Sequence, residues 1–362
     1  MPPAETAAEL RSWISVSLVS GLGPAGFRSL LSAFGMPGNI LAASRAQLSR
    51  VVSDALAASI LAKDREDLVQ RTLDWTARDN HHVITLCDAD YPPQLLQIPD
   101  PPALLYAIGN LRLLSRPGLA VVGSRNATAQ GEANAEHFAT TFSHAGLTII
   151  SGLALGIDAA AHRGGLSGIG STIAVTGTGA DSVYPKKNVA LAARIAESGA
   201  ILTEFPLGTR PLSGNFPRRN RLISGLSRGV LVVEAALPSG SLITARQAAD
   251  QGREVFAIPG SIHSPLSRGC HSLIKQGAKL VDSANDVLEE LGMELGIRLE
   301  ANHKESGVNA KFLQYMGYDP FDIAALATRA GLTPEAVSAM LLQLELEGKV
   351  ASLPGGRYQR LA

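Results

Sequence analysis

The sequence predicts a doubly wound α/β sheet domain preceded by a helical unit and followed by a helix-turn-helix-wing unit, and three observations lead there. Between about Val83 and Leu291, short β-branched or apolar runs alternate with helical patterns. From Ser12 to about Trp75 the pattern is helical, rich in Ala and Leu, with few β-branched runs. The last fifty or so residues hold two helical patterns followed by a short Gly-rich hairpin.

A chain of 362 residues has room for two or three domains. Its 46% hydrophobic and 18% charged composition is that of a globular protein with ample core, not of a disordered one. Lys plus Arg equals Asp plus Glu, at 32 each, so any basic surface must come from clustering. Cys87 and Cys270 lie far apart with no CxxC, which argues against a disulfide framework or structural zinc and fits a reducing compartment. The start MPPAETAAEL lacks the charged-then-apolar pattern of a signal peptide, and no apolar run approaches the roughly 20 residues that span a bilayer. A soluble, cytoplasmic protein with no membrane partner is expected.

In the helical unit, expected over 1–80, ISVSLVSGLGPAGFRSLLSAFG sets Gly21 and Gly23 between two apolar-periodic stretches. Such a turn exposes backbone N–H groups where a phosphate can sit, as in a helix-hairpin-helix, though one intact hairpin is more often a folding module. A second copy over Gly38–Ala62 reads VVSDAL at its turn and lacks the paired glycines. Trp13 and Trp75 are expected in the core of this unit.

In the sheet domain, expected over 81–291, the strands are LAVVG, LTIISG, TIAVTG, AILTE, GVLVVEA, EVFAIPG and AKLVD. Helices over Gln130–Ala145, Gly156–Leu166, Asn188–Ser198, Leu242–Gln251 and Ala284–Leu291 fall between or after them. Continuous apolar strands mean a parallel sheet covered on both faces. The Pro-rich Tyr91–Asn110 is expected to run over the sheet edge. Residues 292–309 are polar and aperiodic and read as a linker. In the final unit, 310–362, Thr333 is placed as an N-cap, Pro334 at the first helical position, and the wing turns at Pro354-Gly355-Gly356.

Ligands of doubly wound sheets bind beyond the carboxyl ends of the strands, where N–H groups and helix N-termini face anions. Four such corners occur here: Gly123-Ser124-Arg125, the turn from Gly152 to Gly156, Gly177-Thr178-Gly179, and Ser239-Gly240-Ser241. Together they point to a phosphate-rich ligand. None reads G-x-G-x-x-G or G-x-x-x-x-G-K-[ST], which disfavours a dinucleotide cofactor and an NTPase. Between Glu204 and Glu234 no acidic residue occurs, against five arginines, Arg210, Arg218, Arg219, Arg221 and Arg228. Phe216 stands among them in NFPRRNR. Guanidinium groups chelate phosphate oxygens, and an aromatic ring stacks a base of any identity. The plain alternative is a solvated basic face with Phe216 buried.

The stretches VVGSR, SGLALGIDAAAH, GTGADSVYPKKN, EFPLGTRPLSGNFPRRNRLISGLS, VVEAALPSGSLITA and GREVFAIPG, in this order, resemble the DNA-processing protein A family (DprA, also called Smf). The resemblance covers nearly the whole sheet domain, and the flanking units are similar too. It implies an extended Rossmann-like sheet domain between a helical (helix-hairpin-helix or SAM-like) domain and a winged helix, and a homodimer. It also implies a protein that binds single-stranded DNA without turnover or cofactor, protects DNA taken up in natural transformation, and loads the RecA recombinase. A single-strand-binding protein is a further partner on this reading. Residue by residue it assigns DNA contact to Gly123, Ser124 and Arg125, with Phe216 as the stacking residue. Arg218, Arg219 and Arg221 would be phosphate partners, with Asn215 and Asn220 in the same stretch and Lys186 and Lys187 as further contacts. Gly152, Gly156, Gly177, Gly179, Ser239, Gly240 and Ser241 would offer corners for phosphates. Ser213 and Gly214 ahead of Phe216 are uncharged, which shifts weight to Arg125 and Arg219.

Other polar residues invite simpler roles. Asp158 and His162, four apart, are expected to share a helix-stabilising hydrogen bond. Glu234 is a general base on one reading and a cap or arginine partner on another. His263 and His271 flank Arg268 without metal-site spacing. The rival function is a nucleoside-monophosphate-cleaving enzyme built on Ser239-Gly240-Ser241, Glu234 and Arg246, but no second acid stands close by in sequence. The second helix of the winged unit carries Glu335, Glu345 and Glu347 with no Lys or Arg, so it is not expected to read duplex DNA.

Overall fold

The computed structural model describes residues 4–62, 64–293, 312–313 and 315–361. Six helices open the chain: α1 (Ala4–Ser17), α2 (Pro24–Phe34), α3 (Pro37–Ala42), α4 (Arg45–Leu48), α5 (Asp54–Leu61) and α6 (Glu66–Thr76). Trp13 and Trp75 lie in their shared core, as expected. Gly21 has φ +80, and a Cβ there would lie 3.5 Å from Leu56 of α5. The hairpin turn therefore packs against the second helical pair, which favours its reading as a folding module.

The helical unit is bound to the sheet. Its core continues into Ala103, Leu104 and Tyr106 of the sheet domain. Arg28 donates to Asp100 at 2.9 Å and to the Pro101 carbonyl at 2.8 Å.

The main sheet has nine strands, β1 (His81–Thr85), β2 (Leu104–Gly109), β3 (Gly118–Val122), β4 (Thr148–Ser151), β5 (Thr172–Val175), β6 (Ala200–Thr203), β7 (Gly229–Val232), β8 (Glu254–Ala257) and β9 (Lys279–Leu280). Their order is β1-β2-β6-β5-β4-β3-β7-β8-β9. All seven apolar runs are strands, and β3 to β9 pair in parallel. The expected wholly parallel sheet needs one correction. The Pro-rich segment does not merely cross the edge, because β2 pairs antiparallel with both β1 and β6. Pro99, Pro101 and Pro102 all precede β2, where their missing N–H groups break no ladder bond.

Alternate residues of β3 feed opposite cores. Leu119 and Val121 face one layer, Ala120 and Val122 the other. Burial on both faces is the reason these strands read as continuous apolar runs. The covering helices are α7 (Ala129–His144), α8 (Ile157–Gly165), α9 (Val189–Ser198), α10 (Asn215–Leu226), α11 (Gly240–Asp250), α12 (Arg268–Lys275) and α13 (Ala284–Glu290). Two were not expected, α10 and α12. In α10 the first half is NFPRRN and only the second half supplies core, through Leu222, Ile223 and Leu226, so the apolar period is too short to read.

Of the expected linker only Gly292 and Met293 are described. The C-terminal unit contains β10 (Phe321–Asp322), α14 (Ile323–Ala330), α15 (Pro334–Leu346), β11 (Val350–Leu353) and β12 (Arg357–Arg360). Asp322 caps α14, Gly331 ends it at φ +65, and Thr333 caps α15 with Pro334 following. Val337, Leu341 and Leu344 are its buried stripe, and β12 pairs with β10 and β11 to form the wing.

Candidate nucleic-acid interface

Strand order reverses at β3. The chain leaves β3 toward β4 on one side, and β7 returns on the other, in register from Leu119↔Gly229 to Val122↔Val232. The carboxyl ends of β3 and β7 thus diverge into opposite crossovers and leave a crevice between them. A cavity of about 640 Å³ opens there. Ser124, Arg125 and Asn126 follow β3 into it, Ser239-Gly240-Ser241 enter from the start of α11, and Phe216 and Tyr184 form an aromatic wall.

Of the four glycine corners, three line this cavity: those after β3 and β7, and the β4–α8 turn through Ala154. Gly156 has φ +72, and a Cβ there would lie 2.4 Å from the Ser124 carbonyl, so it lets the β4–α8 turn press on the β3 corner. The expectation that the corners after β4 and β5 offer N–H groups to phosphate is corrected in part. The Gly152 N–H donates to Asp158 at 3.1 Å, and the Gly179 N–H to the Thr209 carbonyl at 3.1 Å. A Cβ at Gly177 would lie 2.9 Å from Cδ1 of Phe216, so this glycine makes room for the ring. Asn215 holds the same corner through the Gly177 carbonyl at 3.1 Å. Asn220 donates to the Gly240 carbonyl at 3.4 Å, tying α10 to the start of α11. The Ser239 and Ser241 hydroxyls pair at 2.6 Å.

The arginines separate by environment. Arg125 is exposed, with its guanidinium over the Phe216 ring at 5.5 Å. Arg219 was expected on phosphate but is only 4% exposed. It donates to the carbonyls of Gly152 and Val175, clamping the ends of β4 and β5 beneath the cavity. Burial pushes its pKa down to about 10, against the pull of the Asp158 charge. Arg221 is likewise occupied, by Glu204 and the Asp100 carbonyl. Arg218 keeps an exposed side chain but pairs with Glu204 at 3.0 Å and lies over Phe205 at 5.3 Å. The reason is Glu204 itself, whose side chain is 2% exposed and draws both guanidinium groups. In sequence it marked the border of an acid-free stretch; in the fold it turns back onto that stretch. Lys186 and Lys187 are exposed in a single 3-10 turn, separated from Tyr184 by Pro185.

Asp158 and His162 do not bond each other, contrary to expectation. Asp158 accepts from Gly152 N–H at 3.1 Å and from Ala154 N–H at 3.4 Å. His162 accepts the Leu153 N–H on Nε2 at 3.2 Å and meets the Thr172 hydroxyl on Nδ1 at 2.7 Å. Both therefore fix the β4–α8 turn. Burial raises the Asp158 pKa and lowers that of His162 to about 3. Glu234 resolves to the capping role, accepting Thr128 N–H at 3.0 Å and its hydroxyl at 2.6 Å before α7. Arg246 lines a separate cavity with Arg253. Among the described residues no cluster of His, Cys, Asp or Glu suits a metal ion, and no helix is long and apolar enough to cross a membrane. Sequence reasoning missed Tyr184, although only Pro185 separates it from the two lysines singled out, and it missed the inward turn of Glu204.

Residues 82–292 match the family model of DNA recombination-mediator protein A, and residues 301–356 that of the DprA winged helix domain. Protein Smf of Escherichia coli (strain K12) is 45% identical over 305 residues, covering 81% of each chain. The X-ray structure of DNA processing protein A from Streptococcus pneumoniae superposes with TM-score 0.69 at 39% identity, over 77% of this chain and 97% of that one. A structure concerned with the single-stranded DNA binding mode of DNA processing protein A from Helicobacter pylori superposes with TM-score 0.53 at 31% identity, over 58% of this chain and 95% of that one. The sheet order, the winged unit and these matches agree, and the chain belongs to the DNA processing protein A (DprA/Smf) family.

Proposed function

We propose that this protein binds single-stranded DNA in the β3–β7 crevice without chemical turnover, protects strands taken up in natural transformation, and passes them to the RecA recombinase. The observation that carries the reading is one cavity that joins a cation, two serine-rich strand-end corners and an aromatic wall. Phosphates need the first two, and an unstacked base needs the third. Relatives named DNA processing protein, and one studied for its single-stranded DNA binding, support it. A cytoplasmic homodimer and contact with a single-strand-binding protein belong to the same proposal.

The nucleotide-cleaving alternative loses its parts in the fold. Glu234 is held by Thr128, and Arg246 faces a different cavity from Ser239-Gly240-Ser241. The test is one preparation assayed twice, for fluorescence anisotropy of labelled oligo-dT and for release of ribose phosphate from AMP. Binding without release is expected; release at enzymatic turnover with no oligo-dT binding overturns the proposal.

A further inference from the structure

Tyr184 is 45% exposed at the mouth of the cavity, and its ring lies 5.7 Å from that of Phe216, tilted by 40°. The two rings differ in what remains open. Phe216 is half-buried, with the Gly177 backbone close against Cδ1 and the Arg125 guanidinium over its ring. Tyr184 is the more exposed of the two; Phe216 is its one ring contact among the described residues, and no hydrogen bond or ion pair among them engages its hydroxyl. A base inserted between two rings needs a contact distance of about 3.5 Å to each, or roughly 7 Å in all. The observed separation is too small for that sandwich, so the pair forms a step with Tyr184 as the outer tread.

We propose that Tyr184 is a base-stacking residue, a second platform for the strand that uses Phe216 as its buttress. The proposal rests on the single-strand reading and adds a specific ligand contact to it. Stacking on Tyr184 ignores base identity, since every base has a π-face. Lys186 and Lys187 follow in the next turn, so cationic charge for the adjoining backbone lies within three residues of the stacked base. The opposite role, a lid that only covers Phe216, predicts the reverse mutational sign, because removing Tyr184 would then open the Phe216 ring to a base.

The experiment uses the full chain carrying Tyr184→Trp. Trp13 and Trp75 are both buried in the helical unit, so the new indole reports the site. Its fluorescence should be quenched by oligo-dT in step with the anisotropy of the labelled strand. Tyr184→Ala should weaken binding by about five- to a hundred-fold with an unchanged salt slope, and Tyr184→Phe, which keeps the ring, should restore it. If the unaltered chain binds oligo-dT but the indole stays unquenched at saturation, or Tyr184→Ala binds as well as wild type, the assignment is overturned. If the unaltered chain fails to bind oligo-dT, the single-strand reading itself falls, and the assignment with it.

Discussion

Residue-level changes divide the cavity into contacts and supports. Arg125→Ala removes an exposed cation, so it should weaken oligo-dT binding and flatten its salt dependence by about one phosphate's share. Phe216→Ala removes a stacking surface worth about 1–3 kcal/mol and should leave the slope nearly constant. Arg219→Ala should behave otherwise, because its guanidinium bonds two strand-end carbonyls out of solvent. Its loss should destabilise the fold by about 1–3 kcal/mol, read as a fall in denaturant midpoint; a full-stability variant with a reduced salt slope would return Arg219 to the phosphate contacts. His162 supplies a pH signature. Its folded pKa of about 3 lies below the ordinary 6.5, so the neutral ring contributes stability above pH 6.5 that is lost as pH falls toward 3. The loss is steepest between these values, up to roughly 1.4 kcal/mol per pH unit. Asp158, raised by burial, acts with the opposite sign, so the comparison must be internal. The stability difference between wild type and His162→Gln should shrink as pH drops from 6.5, and a difference independent of pH would contradict the buried neutral ring.

At the scale of elements, legibility followed burial. β3 to β8 were readable because two-sided burial selects unbroken apolar runs. β2 was hidden by its prolines, and α10 by placing arginines on its first turns, where Glu204, Asp100 and two strand-end carbonyls receive them. Those acceptors are distant in sequence, Gly152 by 67 positions, and no local pattern announces them. The Phe-Arg cluster therefore marked the right place in the chain but overcounted the free cations. In the winged unit the local signals sufficed, since caps and a Gly C-terminus are read within one turn. On α15, Glu335 is exposed, as are Leu342 and Leu346, and the helix has no Lys or Arg. Arg360 of the wing donates to the Leu313 carbonyl and lies over Tyr318 at 4.9 Å. A chain ending at Met293 should consequently keep its affinity for both single strands and duplex. A tenfold loss of duplex affinity on truncation would assign the winged unit to DNA.

For the whole molecule, a single particle with one crevice gains from pairing, since two grooves on one dimer hold a strand by avidity. Light scattering at micromolar concentration should give twice the 37.8 kDa chain mass, and a monomer throughout would count against the homodimer. The crevice proposed for unpaired strands sets few free cations beside an aromatic step. Arg125, Lys186 and Lys187 have no ion pair among the described residues, whereas Arg218 and Arg221 do. Three phosphate contacts at a single-strand slope of −0.7 each give about −2 for log K against log salt. Anisotropy of oligo-dT and of duplex of equal length, titrated side by side from low to physiological salt, tests both the strand preference and the number of free cations. A slope near −2 is expected for the single strand, with much weaker binding of the duplex, whose stacked bases hide their faces; equal affinity for both, or a flat salt dependence, would contradict a crevice for unpaired strands.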